Sequence, residues 1–224
     1  QYLPLDARLV ITDMDGTLLD GCGKVPERLW PILATMRERG AFFVPASGRQ
    51  YQTLATLFAR EADGMPFIAE NGTYVVRDGV EISSSTLDPE FVAGVIQRIR
   101  GLVDNGHDLG LVLAGKRAAY VERPDRPFVD EVSIYYHSHE VVDDLLSVED
   151  DVLKIAIYDF DDAELGTFPY VQDFASTHSV VVSGHHWIDI MNTGVNKGQA
   201  VKALQDSLGI TPEQTVAFGD YLND

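Results

Sequence analysis

Among 224 residues there is a single cysteine, Cys22, so no internal disulfide can staple the fold. That scarcity suits a reducing compartment, and a cytoplasmic protein is expected. No apolar run approaches the roughly 20 residues needed to cross a bilayer. Tyr2 to Ile11 carries Asp6 and Arg8 and lacks the pattern of a secretion signal, so no membrane association is expected. Basic residues are few: 17 Lys and Arg stand against 35 Asp and Glu, a formal net charge of −18. This argues against nucleic acid as a partner bound through a broad basic surface. Internal repeats and low-complexity linkers are absent as well.

What is present is an ordinary globular composition, 45% hydrophobic and 23% charged, on a chain long enough for one or two domains. The charge is unevenly placed. Residues 1–80 hold 10 acidic and 8 basic side chains, whereas residues 81–190 hold 21 acidic and 7 basic, a net of −14. Such an asymmetry suggests two units with different surfaces, or a solubilising acidic face.

Hydrophobic spacing orders the elements. Arg8 to Thr12 reads as a strand running into Asp-Met-Asp-Gly. Pro26 to Arg39 has helical spacing at Leu29, Ile32, Leu33 and Met36, with Gly40 as a stop. Ala41 to Ala46 is a second strand, Tyr51 to Arg60 a second helix, and Pro66 to Ala69 a third strand. This order predicts a parallel sheet with helices on both faces, an α/β core. Then the pattern changes. Thr73 to Ile82 predicts a hairpin turned at Arg77-Asp78-Gly79, followed by a helix over Pro89 to Leu102 and two strands within Leu109 to Glu122. Phe128 to Tyr136 with Val141 to Leu146 is expected to be partly helical, Val152 to Tyr158 a strand and Glu164 to Ser176 a helix. Ser179 to Ser183 and Trp187 to Met191 predict strands, before a helix over Lys197 to Leu208 and a strand over Thr215 to Phe218. Mixed, hairpin-containing structure here indicates a separate α+β unit inserted over 83–184, dividing a core formed by 1–82 and 185–224.

The polar residues of interest follow short apolar strands. Asp13, Ser47 and Asp220 each sit just after one, and ligands of open parallel sheets bind at the carboxyl ends of the strands. Asp13 and Asp15 are two apart, so in extended chain they point to one side. Carboxylates that close repel unless a cation lies between them, and magnesium suits an all-oxygen donor set. Asp220 supplies a third carboxylate, and Asn223 and Asp224 offer further oxygens. Ser47-Gly48-Arg49 is expected to open a helix, where free N–H groups receive an anion; a plain helix cap is the other reading. Lys197 also stands at a helix start, where a cation does not help the dipole, so a bound anion explains it better than a solvated surface does. His185 and His186 lack a third ligand at suitable spacing for a metal, and Trp30 and Trp187 are read as packing residues.

Asp13-Met14-Asp15-Gly16-Thr17-Leu18-Leu19, the Ser47 motif, Lys197 and Gly219-Asp220-Tyr221-Leu222-Asn223-Asp224 resemble the four motifs of haloacid dehalogenase superfamily phosphatases. Glu70-Asn71-Gly72 and Gly194-Val195-Asn196-Lys197-Gly198 are similar to the Cof-type subfamily in particular. The resemblance spans the whole chain. It implies a Rossmann-like core with an inserted C2-type α+β cap. It implies Mg2+ as cofactor, held by Asp13, the backbone carbonyl of Asp15, Asp220 and, in support, Asp224. Asp13 would be the nucleophile and Asp15 the general acid and base. Ser47, Gly48 and Lys197 would bind phosphate, with Asn223 on phosphate or metal water. Members of this family continue for a few dozen residues past the fourth motif, so further chain after Asp224 is expected.

The expected activity is hydrolysis of small phosphorylated metabolites, sugar-phosphate-like monoesters, through an aspartyl-phosphate, by a monomer or weak homodimer. A phosphomutase of the same superfamily and a non-catalytic sugar-phosphate sensor are the alternatives. The acidity of residues 81–190 favours a monophosphate on an uncharged, hydroxyl-rich body.

Overall fold

The structure is a computed structural model that describes residues 6–14, 19 and 23–219. The chain begins with β1 (Leu9–Asp13), α1 (Leu29–Glu38), β2 (Phe42–Ala46), α2 (Tyr51–Leu57), β3 (Pro66–Ala69) and the hairpin β4 (Tyr74–Arg77) and β5 (Val80–Ser84). It continues through α3 (Pro89–Asp104), β6 (Leu109–Gly115), β7 (Ala119–Val121), α4 (Arg126–Tyr135), β8 (His139–Val141) and β9 (Val152–Asp159). After α5 (Phe168–Val171), β10 (His178–Val182) and β11 (Trp187–Asn192), it ends with α6 (Lys197–Leu208) and β12 (Thr215–Phe218). Contacts divide it into two compact units, residues 1–84 with 195–224, and residues 85–194.

In the first unit the sheet order is β12-β1-β2-β3-β4-β5, parallel from β12 to β3 and antiparallel beyond. Its strands are apolar on both faces because both faces are covered. Val10, Phe43 and Phe67 pack with Trp30 and Leu33 of α1 and with Leu54 and Phe58 on the α2 side. Leu9, Ile11, Val44 and Ile68 point the other way, against Ala200 and Leu204 of α6. Phe58 is fully buried and its ring meets Trp30, Phe43 and Phe67. The β4–β5 hairpin turns where expected, with Asp78 at φ 53° and Gly79 at φ 74°, both left-handed as a tight hairpin turn requires.

The second unit carries a separate sheet, β10-β11-β9-β6-β7-β8, antiparallel apart from the β7–β8 pair. One face packs on α3 through Val92, Val95, Ile96 and Ile99; the other packs on α4 through Phe128 and Val132. Phe128 packs against Gly110, where a Cβ would stand 2.2 Å from its ring. The unit's basic side chains are largely committed to its own acids. Arg98 pairs with Asp173, Arg100 with Glu122 and Asp144, Lys116 with Asp151, Arg117 with Asp150, Arg123 with Asp108 and Asp125, and Arg126 with Asp130. The Arg100 guanidinium holds the Glu122 carboxyl below its ordinary range, and Arg98 does the same for Asp173. Lys154 is buried, with its ammonium 5.8 Å from the Tyr136 ring.

The partly helical expectation for 128–146 holds, with α4 and a 3₁₀ turn over Leu145–Ser147 on either side of β8, which ends at Val141. Two expectations change. Trp187–Asn192 pairs with β9 in the second sheet, so the chain leaves that unit at Gly194 rather than at residue 184. Glu164 to Ser176 is not one regular helix: a widened turn over Ala163–Thr167 precedes α5 and a 3₁₀ segment over Gln172–Ser176 follows it. The cause is tertiary. Buried Asp159 accepts from the Thr167 hydroxyl and the amides of Asp161 and Asp162, and Gly166 lies against its carboxylate. Pro169 then interrupts the backbone ladder.

Candidate active site

Parallel register places three strand ends side by side. Asp13 is level with Ala46, and Ala46 with Ile68. The Met14 amide donates to the Ala46 carbonyl at 3.0 Å, and the Ser47 amide donates to the Ile68 carbonyl at 3.0 Å. Asp13, Ser47 and Glu70 therefore leave the sheet at one edge. On the other side of β1, Thr12 is level with Phe218, the last residue of β12.

α6 brings the cation. Asn196 caps it by accepting from the Gln199 amide at 2.8 Å, which fixes Lys197 as the first helical residue. The Lys197 ammonium stands 3.7 Å from Asp13 Oδ1, and each side chain is only 14% exposed. At that exposure the pair is less screened than a surface one.

Ser47 is fully buried, and its hydroxyl accepts from the Arg49 amide at 3.0 Å. It does not open a helix: α2 begins at Tyr51 with Gln50 at its N-cap, and Ser47-Gly48-Arg49 is the bend before it. The helix-cap reading fails for the same reason. Gly48 approaches Asn71 closely, since a Cβ on it would lie 2.9 Å from Asn71 Oδ1.

Among the candidates, the structure brings together Asp13, Ser47, Gly48 and Lys197. Asp15, Asp220, Asn223 and Asp224 lie outside the described residues, as does Cys22. His185 and His186 belong to the second unit, where His186 Nδ1 is 2.7 Å from the Asp159 carbonyl oxygen and His185 Nδ1 is 3.7 Å from Asp162. Among the described residues no group of three or more His, Cys, Asp or Glu is placed to hold a metal. The described part of the expected magnesium set is Asp13, a hard oxygen donor at the strand edge that fits that ion in kind. The spacing arguments missed one feature. Glu70, Asn71 and Gly72 all have positive φ, and the Asn-Gly dipeptide was the available signal for it.

The chain belongs to the haloacid dehalogenase-like hydrolases. A model of that family matches residues 10–224, and the motifs mark the chain as Cof-type. It is 30% identical over 227 residues to the 5-amino-6-(5-phospho-D-ribitylamino)uracil phosphatase YbjI of Escherichia coli strain K12, covering 98% of this chain and 81% of that protein. It is 25% identical over 228 residues to the HMP-PP phosphatase of Citrobacter koseri, covering 97% and 79%. The crystal structure of a haloacid dehalogenase-like hydrolase from Bacteroides thetaiotaomicron shares the fold at a TM-score of 0.84 and 21% identity, over 96% of this chain and 82% of that one. Among the described residues, no helix is long and apolar enough to cross a membrane.

Proposed function

We propose that this chain is a phosphatase of small phosphorylated metabolites that works through an aspartyl-phosphate on Asp13. The observation that carries the reading is the Asp13–Lys197 pair, 3.7 Å apart at the carboxyl edge of a parallel sheet beside Ser47. A carboxylate nucleophile divides one difficult hydrolysis into two easier steps. Asp13 Oδ attacks phosphorus, the ester P–O bond breaks, and the leaving alkoxide takes a proton from Asp15. Water then attacks the acyl phosphate, giving its proton to Asp15 and releasing inorganic phosphate. Lys197 and the Ser47–Gly48 bend hold the phosphoryl oxygens in line, and positioning of this kind is the largest demand of phosphoryl transfer. Mg2+, held by Asp13, the Asp15 carbonyl, Asp220 and Asp224, supplies neutralisation of phosphate charge when bound. Asn223 completes the phosphate-binding set.

Residues 85–194 act as the cap that selects the leaving group. Arg98, Arg100, Lys116, Arg117, Arg123 and Arg126 of that unit are paired with its own carboxylates, which leaves little to receive a second phosphate. This supports a monophosphate on an uncharged, hydroxyl-rich body. The E. coli relative points the same way, since its name puts one phosphate on a ribityl chain. The setting we infer is a cytoplasmic monomer or weak homodimer.

The test is phosphate release by the full chain with Mg2+ from a panel of sugar and polyol monophosphates, bisphosphates and nucleotides. Monophosphates should turn over best. Transfer of phosphate between positions without release would make the protein a phosphomutase. Saturable binding without any turnover would make it a sensor.

A further inference from the structure

Glu70, Asn71 and Gly72 form a turn that adopts left-handed backbone three times in succession, at φ 50°, 59° and 96°. Two of the three are not glycine, and left-handed backbone strains a residue that carries a Cβ, Glu70 most of all. The turn is nevertheless well anchored. The Glu70 amide donates to the Arg49 carbonyl and the Asn71 amide to the Ser47 carbonyl, each at 3.0 Å. The Thr73 hydroxyl donates to the Glu70 carbonyl at 2.8 Å, and Glu70 and Thr73 are both buried.

The two ends of this turn touch the two halves of the phosphate site. On one side, the Asn71 side chain closes on Gly48: a Cβ there would be 2.9 Å from Asn71 Oδ1. On the other, Gly72 is pressed on the peptide that begins α6. A Cβ on Gly72 would be 2.9 Å from the Asn196 carbonyl oxygen and 3.3 Å from the Lys197 amide nitrogen. The first contact can yield, because a side-chain amide can move. The second cannot, because both partners are backbone.

We propose that Glu70–Asn71–Gly72 is a positioning strut that sets the spacing between the Ser47–Gly48 bend and Lys197, with Gly72 the residue through which Lys197 is held. It rests on the phosphatase reading, since the spacing matters only if both halves grip one phosphoryl group. None of the three needs to touch substrate. Their strain holds two loops from distant parts of the chain at one distance, and a shift near 1 Å in such a pair can cost about 100-fold in rate.

The decisive comparison is Gly72→Ala against Gly79→Ala. Gly79 lies in the same unit with φ 74°, but a Cβ there meets nothing within 4 Å, so it matches the backbone strain without the contact. Gly72→Ala should lose more thermal stability than Gly79→Ala, since it adds a backbone contact to the same left-handed strain. Only Gly72→Ala should lower kcat/KM, by about 100-fold, and weaken binding of tungstate, a phosphoryl mimic measured by calorimetry with Mg2+. If Gly72→Ala fails to fold, Asn71→Gly replaces it. That change accepts φ 59° without strain and removes the wedge, so kcat should fall while the melting temperature holds or rises. Wild-type kcat/KM and tungstate affinity in whichever of the two folds would overturn the strut, as would a wild-type protein that binds no tungstate. A wild type that binds tungstate but releases no phosphate would sink the phosphatase reading alone, and tungstate affinity in the variants would still decide the strut.

Discussion

Lys197 carries a cation at a helix start, a place where the helix dipole opposes it. A side chain kept there against that preference, and drawn to 3.7 Å from a carboxylate, is better explained by an anion that visits the site than by the helix. Lys197→Ala should therefore lower kcat/KM by about 10²- to 10³-fold, the range for loss of one preorganised charge stabiliser. Steady-state kinetics check this, and a loss of less than tenfold would remove Lys197 from the site. Asp13, Ser47 and Lys197 were legible because each follows a clear apolar run or opens a clear helix. Glu70 was not. It is a residue that rarely takes positive φ, and the reason it does so, the Arg49 and Asn196 backbones on either side of its turn, is a matter of contacts far apart in sequence.

At the scale of elements, Pro66–Ala69, Lys197–Leu208 and Thr215–Phe218 have the limits the pattern predicts. Their boundaries are written locally, in Pro66, in the Asn196 cap and Gly209 at φ 67°, and in the Pro212 turn. The 163–176 stretch fails for the opposite reason, since buried Asp159, which precedes it, holds Thr167 and so decides its path. Trp187–Asn192 was legible as a strand, but its sheet was not, because periodicity says nothing about which partner a strand finds. The packing of α4 on β6 gives an element-level prediction. Gly110→Ala puts a methyl 2.2 Å from the Phe128 ring and should destabilise the second unit by about 1–3 kcal/mol. Phe128→Leu in that background should recover part of the loss. Urea denaturation measures both, and an unchanged midpoint in Gly110→Ala would mean that α4 is not seated as described.

For the whole molecule, charge is the property most legible beforehand, and the structure gives it a mechanism. The net of −14 over residues 81–190 is not diluted by free cations at most positions, because its arginines are tied up internally. Multiply charged substrates should approach against this field. Raising salt from low to physiological strength, where the Debye length falls to about 8 Å, should raise kcat/KM for a bisphosphate more than for a sugar monophosphate. A parallel response of the two would end the charge argument for substrate choice. All of this presumes that the chemistry passes through Asp13, and one measurement addresses that directly. The full protein is mixed with Mg2+ and its best monoester, quenched in acid within one turnover, and mapped by mass spectrometry. The account predicts a phosphoryl group on the peptide that contains Asp13, with no adduct and less than about a hundredth of the turnover in a folded Asp13→Asn variant, since an amide cannot serve as the nucleophile. Undiminished phosphate release by Asp13→Asn would contradict it.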